Sequence, residues 1–212
     1  MSNPTPALPT ELLAHLDALI PESGRRLLGL IGPPGAGKST LAAALLAARP
    51  GLCQVVPMDG FHLANSVLDH LGRRSRKGAP DTFDAAGFVA LLQRLRQPVP
   101  GEVVYVPDYR RELEEPVAGA IAVPPEVPLL IVEGNYLLLD DGPWARVADY
   151  LNESWYVVVN DDLRRERLVA RHERFGRTRA EALAWVEQTD EPNARRIAQG
   201  RHRATRQVAW AD

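Results

Sequence analysis

Lysine is almost missing from this chain of 212 residues: Lys38 and Lys77 stand against 23 arginines. Arginine supplies nearly every cation, so each retained lysine calls for a reason. Cysteine is scarcer still, and Cys53 alone excludes a disulfide framework and a cysteine-based zinc cluster. No apolar run approaches the roughly 18 residues that a membrane-spanning helix needs. The start, MSNPTPALPTELL, is polar and proline-rich, with no basic segment ahead of an apolar one. A formal net charge of −2 gives no bulk attraction to nucleic acid or to an anionic membrane. These absences lead us to expect a cytoplasmic protein with neither nucleic acid nor membrane as partner, and they leave a homodimer open.

What is present is ordinary for a globular protein: 45% hydrophobic and 25% charged residues. The length suits one domain, with or without a small lid. Residues 1–24 read as a loose tail and a first helix with Thr10 as N-cap. Apolar strands are expected at RLLGLIG, LCQVVPMD, PLLIVEG and SWYVVVN, with QVAW as a last one. VVYVP and Val117–Val123 are shorter strand candidates. Helices are expected after residue 39, over 61–71 and 84–96, near Trp144–Leu151, and over 161–175 and 179–199. Continuously apolar strands separated by helices predict a mostly parallel sheet covered on both faces, a single α/β domain over 1–212.

Gly32-Pro33-Pro34-Gly35-Ala36-Gly37-Lys38-Ser39 fits G-x-x-x-x-G-K-[ST]. Glycines let successive N–H groups turn inward on phosphate oxygens, and the loop opens a helix whose N-terminus favours an anion. Lys38 then reaches the β and γ phosphates, and the Ser39 hydroxyl suits a magnesium ion. Gly32, Gly35, Ala36, Gly37, Lys38, Ser39 and Thr40 are therefore the candidate nucleotide-binding residues. A buried strand before the loop and a helix after it separate this motif from a plain glycine-rich turn.

Two acids close apolar strands, where ligands of open α/β sheets gather. Asp59, ahead of Gly60-Phe61-His62, is placed to take a proton from an attacking hydroxyl or to hold the metal, against the competing reading of an Asp-Gly turn. Glu133, ending LLIVE, fits the Walker B position beside the metal, against a surface acid just past the strand. Along DDLRRERLVARHERF, Arg164, Arg167, Arg171 and Arg174 recur at helical spacing. Most would be solvated; Arg167 and Arg171 are the candidates to meet phosphates when a lid closes. Trp144, Trp155, Trp185 and Trp210 read as packing residues.

In combination, MDGFH (58–62) with Asn65, RKGAPDTFD (76–84), the stretch PDYRRELEEP from Pro107, and VEGNYLLL (132–139) resemble the uridine kinase, phosphoribulokinase and bacterial pantothenate kinase group of P-loop small-molecule kinases. The nearest likeness is to its nucleoside/nucleotide kinase-like, fructose-transport kinase subgroup, and it runs from about residue 25 to about 200. The resemblance implies a P-loop NTPase three-layer sandwich with a helical lid at about 161–180. It implies phosphorylation of a small molecule's hydroxyl by ATP, with Asp59 as base and Ser39, Asp59 and Glu133 around Mg²⁺. It places Lys77 near the phosphates and the acceptor, where a compact ammonium can follow a moving phosphoryl group, against the competing reading of one more solvated cation in the basic run Arg73 to Lys77. His62, Tyr109, Arg111, Asn135 and Tyr136 become candidate acceptor contacts, with a structural role open for His62, Asn135 and Tyr136. One departure is Arg110, where relatives usually carry Asp; it suggests a different or more anionic acceptor. The competing function is a P-loop switch or nucleotide-dependent chaperone, disfavoured by the acceptor-side motifs. The guanine-reading N-K-x-D segment of GTPases is absent from the sequence.

Overall fold

The computed structural model describes residues 8–210. The anticipated N-terminal tail therefore lies largely outside the described residues. The first helix, α1, spans Thr10–Leu19, and its N-cap is Pro9, not Thr10, with no side-chain cap. Proline presets the extended backbone of an N-cap, so the chain can enter the helix without a hydroxyl there.

Five strands form one sheet: β1 (Arg26–Ile31), β2 (Cys53–Pro57), β5 (Leu129–Gly134), β6 (Glu153–Val158) and β7 (Arg206–Ala209), in the order β2-β5-β1-β6-β7. Every pairing in it is parallel. The apolar runs are continuous because both faces are covered. Leu27, Ile31, Leu130 and Val132 enter one core with helix α4 (Ala85–Arg96). Leu28, Leu30, Leu129 and Ile131 enter the other with α1 and helix α2 (Lys38–Ala48). This is the three-layer arrangement expected.

The two shorter strands, β3 (Val104–Arg110) and β4 (Glu115–Val123), do not join that sheet. They pair antiparallel as a separate hairpin. It packs against the short 3₁₀ turn Met58–Phe61 that follows β2, where a Cβ on Gly60 would lie 2.2 Å from the Pro107 carbonyl oxygen. Glycine is the one residue that lets the two backbones meet so closely. Beyond the turn, helix α3 is short (Asn65–His70), and the region near Trp144–Leu151 forms two 3₁₀ turns in place of a helix.

The charged C-terminal region is helix α5 (Asp161–Arg174), helix α6 (Arg179–Trp185), a π-helical turn Val186–Asp190 and helix α7 (Glu191–Gln199). Asn160 caps α5 by accepting from the Asp162 and Leu163 N–H groups, and Thr178 opens α6 with a capping box. Leu168, Val169, Ala182 and Val186 form a small apolar cluster of their own, apart from the two cores that flank the sheet. No helix among the described residues is long and apolar enough to cross a membrane.

Candidate active site

Because β1 is central and β5 and β2 lie beside it in that order, the carboxyl ends of these strands bring together the loop after Ile31, Glu133 and the turn carrying Asp59. A cavity of about 560 Å³ opens there. The phosphate loop, the acids, the hairpin and the α5–α7 region all line it.

In the loop, Gly35 and Gly37 have φ of 81° and 87°, the left-handed region that side chains avoid. A Cβ on Gly35 would also lie 2.8 Å from the Arg164 carbonyl oxygen and 2.9 Å from Leu168 Cγ. Gly35, Gly37, Lys38, Ser39 and Thr40 line the cavity. Ala36 is fully buried below the loop, and Gly32 packs against Val157 and Ala36. Lys38 Nζ donates to the Pro33 carbonyl oxygen at 3.2 Å, and this buried ammonium is pushed below the usual lysine range by desolvation, opposed by Glu133 and Asp59.

Ser39 Oγ donates to both Glu133 carboxylate oxygens, at 3.0 and 3.1 Å. Burial raises the Glu133 pKa, while Lys38 pulls it back. A hydroxyl and a carboxylate beside a phosphate cradle are the hard oxygen donors that magnesium takes, a cation that draws its remaining ligands from phosphates and water. Asp59 lines the same cavity and pairs with Arg111 at 4.0 Å.

In the cavity wall, His62 is held between Phe83 and Tyr109, with ring centroids 4.0 and 4.7 Å away. Its Nδ1 lies 2.7 Å from the Asp59 carbonyl oxygen. A carbonyl only accepts, so Nδ1 carries the proton, and burial holds the ring below the usual histidine range. The neutral ring thus keeps Nε2 as an acceptor. Residues 61–63 pair with 82–84 through Leu63 N to Thr82 O and Asp84 N to Phe61 O, so the two motifs form one wall.

Lys77 donates to Asn65 Oδ1 at 2.6 Å and to the Glu114 carbonyl at 2.5 Å, with the Tyr109 ring 5.0 Å from Nζ. Two of its three donors are therefore committed to structure. Glu114, at φ 53°, forms the hairpin turn and accepts from the Tyr109 hydroxyl at 2.8 Å. Asn135 lines the cavity; Tyr136 does not. Tyr136 is fully buried in the core, and its hydroxyl donates to the Gly78 carbonyl from behind the wall. Arg110 lies outside the cavity and pairs with Asp108 at 3.5 Å.

The arginines of α5 divide by face. Arg167 and Arg171 line the cavity, and a Cβ on Gly37 would be 3.9 Å from Arg167 Nη1. Burial and the neighbouring Arg111 disfavour the charge on Arg171, which an anion in the cavity would relieve. Arg164 is buried with Asp161 at 3.0 Å and with Glu191, and Arg174 is exposed. Sequence reasoning missed the far wall. Arg177 stacks 3.9 Å over Trp185, and both line the cavity, whereas Trp144, Trp155 and Trp210 are buried as packing residues. Asp190 holds His172 Nε2 at 2.8 Å, and Thr189 and Asn193 stand beside it. The π-helical turn that aims these residues has no signature in hydrophobic spacing.

No profile of a known protein family matches the chain. Individual proteins do. An uncharacterized Escherichia coli K12 protein, YggC, is 42% identical over 88% of this chain and 78% of its own length. A Schizosaccharomyces pombe protein provisionally named uridine kinase C227.14 is 36% identical over 85% of this chain and 80% of its own. The crystal structure of a Silicibacter protein, provisionally described as a kinase of a fructose transport system, superimposes with a TM-score of 0.84 at 37% identity, covering 97% of this chain and all of that one.

Proposed function

From the uridine kinase-like group of P-loop ATP-dependent kinases, to which this chain belongs, we propose that it transfers the γ-phosphoryl group of ATP to a hydroxyl of a small metabolite, with Asp59 as the base. The observation that carries this reading is the position of Asp59: one cavity holds it together with Lys38, Ser39 and Glu133 of the phosphate side and His62 and Tyr109 of the acceptor side.

The step balances as an in-line displacement. The acceptor oxygen forms a bond to the γ phosphorus, the bond from that phosphorus to the bridging β–γ oxygen breaks, the hydroxyl proton passes to Asp59, and ADP leaves. Loop N–H groups and Lys38 hold the phosphates. Arg167 and Arg171 meet the charge that develops on the transferring group. Arg111 pairs with the Asp59 carboxylate within the cavity. Ser39, Glu133 and Asp59 would hold Mg²⁺, which supplies charge neutralisation and alignment of the phosphates. Residues from the hairpin and from α5–α7 enclose the site, limiting the water that would compete with the acceptor.

The test is ADP formation from Mg-ATP across nucleosides, sugars, hydroxy acids and their phosphates, with Asp59→Asn alongside. Acceptor-dependent turnover that falls about 100-fold or more in the variant, with ATP affinity retained, supports the reading. ADP formation indifferent to every acceptor would count against it.

A further inference from the structure

The basic run Arg73-Arg74-Ser75-Arg76-Lys77 does not behave as a uniformly solvated face. Arg73 and Arg76 both fold back on Asp81, Arg76 through a bidentate contact and Arg73 at 3.4 Å. Lys77 is tied to Asn65 and Glu114. Of the three arginines, Arg74 alone lines the cavity, and no carboxylate among the described residues pairs with it.

The acids nearby make other contacts. The Glu114 carboxylate accepts from the Tyr109 hydroxyl, the Glu115 carboxylate accepts from the Asn65 N–H, and Asp59 faces Arg111. The loop is also built, not loose. Gly78 N–H donates to Thr82 Oγ1 at 3.0 Å, and the Gly78 carbonyl accepts from Tyr136. Seven cationic side chains line the cavity against four acidic ones. Arg167 stands by the phosphate loop, whereas Lys77 stands by Tyr109 and the hairpin, with Arg74 close enough to disfavour the charge on Lys77.

We propose that the acceptor carries an anionic group, a carboxylate or a phosphate ester, bound by Arg74 and the third donor of Lys77 while its hydroxyl meets Asp59. A guanidinium and an ammonium that line one cavity within electrostatic reach of each other are the donors that such oxyanions take. The acceptor class is then an anionic hydroxy compound, not a neutral nucleoside or a free sugar. This rests on the kinase reading above.

The test leaves the acceptor's identity open. A small-molecule metabolite extract is split by anion exchange into neutral and anionic pools, and each is incubated with the protein and γ-labelled Mg-ATP. The expected label appears in products of the anionic pool. Exhaustive phosphatase treatment separates the sources. A carboxylate acceptor leaves a product that is still anionic, and a phosphate-ester acceptor releases two phosphates for each one labelled. For the acceptor so recovered, Arg74→Gln should raise KM tenfold or more with kcat and the KM for ATP within about twofold, and Arg74→Lys should restore most of the loss. Labelled product from the neutral pool alone would overturn the inference while leaving the kinase standing. So would an unchanged acceptor KM in Arg74→Gln. No labelled product from either pool would overturn the kinase reading and this inference with it.

Discussion

Ser39 Oγ stands 3.0 Å from Glu133 Oε1, joining residues 94 apart in sequence. One opens the helix after the phosphate loop and the other closes the neighbouring strand, so this contact marks where a metal would sit between nucleotide and sheet. Glu133→Gln keeps the shape and removes the charge. We expect the Mg²⁺ concentration for half-maximal ADP formation to rise tenfold or more. An unaltered Mg²⁺ titration in this variant would remove Glu133 from the metal site.

Lys77 bonds at once to Asn65 Oδ1 and the Glu114 carbonyl, at 2.6 and 2.5 Å. A planar guanidinium presents its donors in a fixed fork and cannot reproduce that pair with one more donor turned to the cavity. Lys77→Arg should therefore raise the acceptor KM several-fold while the KM for ATP holds. Steady-state kinetics with both substrates varied decides it, and wild-type constants would mean that any cation suffices here. The retained lysine is thus a strut between α3 and the hairpin, a more fixed role than a mobile follower of the phosphoryl group.

Gly60 is where the hairpin backbone meets the turn bearing Asp59. A methyl group there would press on the Pro107 carbonyl from 2.2 Å, and backbone cannot swing aside as a side chain does. Gly60→Ala should destabilise by about 1–3 kcal/mol, the range of overpacked cores, and weaken acceptor binding more than ATP binding. Chemical denaturation of the variant at an unchanged midpoint would show that the hairpin is free to shift.

Cys53 lies buried beside α2, and burial pushes its thiol from an ordinary value of 9.0 up to about 11. The native protein should label with thiol reagents at pH 8 far more slowly than the unfolded chain. The sign for stability follows from proton counting. Above pH 9 the unfolded state releases this proton first, so stability falls as pH rises toward 11. Cys53→Ala should lack that part of the decline; parallel denaturation curves for the two proteins across that window would refute the assignment.

The phosphate loop, the strand-ending acids and the α/β class were legible in the sequence because each depends on neighbours along the chain. A glycine-rich turn, an apolar run and a helix start are local, and a parallel sheet covered on both faces forces continuous apolar strands such as Leu27–Ile31. What the sequence could not separate were residues alike in type but different in surroundings. Arg164, Arg167 and Arg174 share one helical stripe, yet one is buried against Glu191, one lines the cavity and one meets solvent. Tyr136 and Asn135 are adjacent, yet only Asn135 reaches the cavity.

The chain by itself thus determined the nucleotide chemistry and the layered fold, because both follow from local backbone geometry and hydrophobic period. Tertiary structure alone decided the rest of the cavity wall. There the hairpin, the 73–84 loop and the π-helical turn at Asp190 meet across gaps of many residues. Which cation remains unpaired depends on contacts such as Asp81 with Arg73 and Arg76, and no spacing rule encodes these.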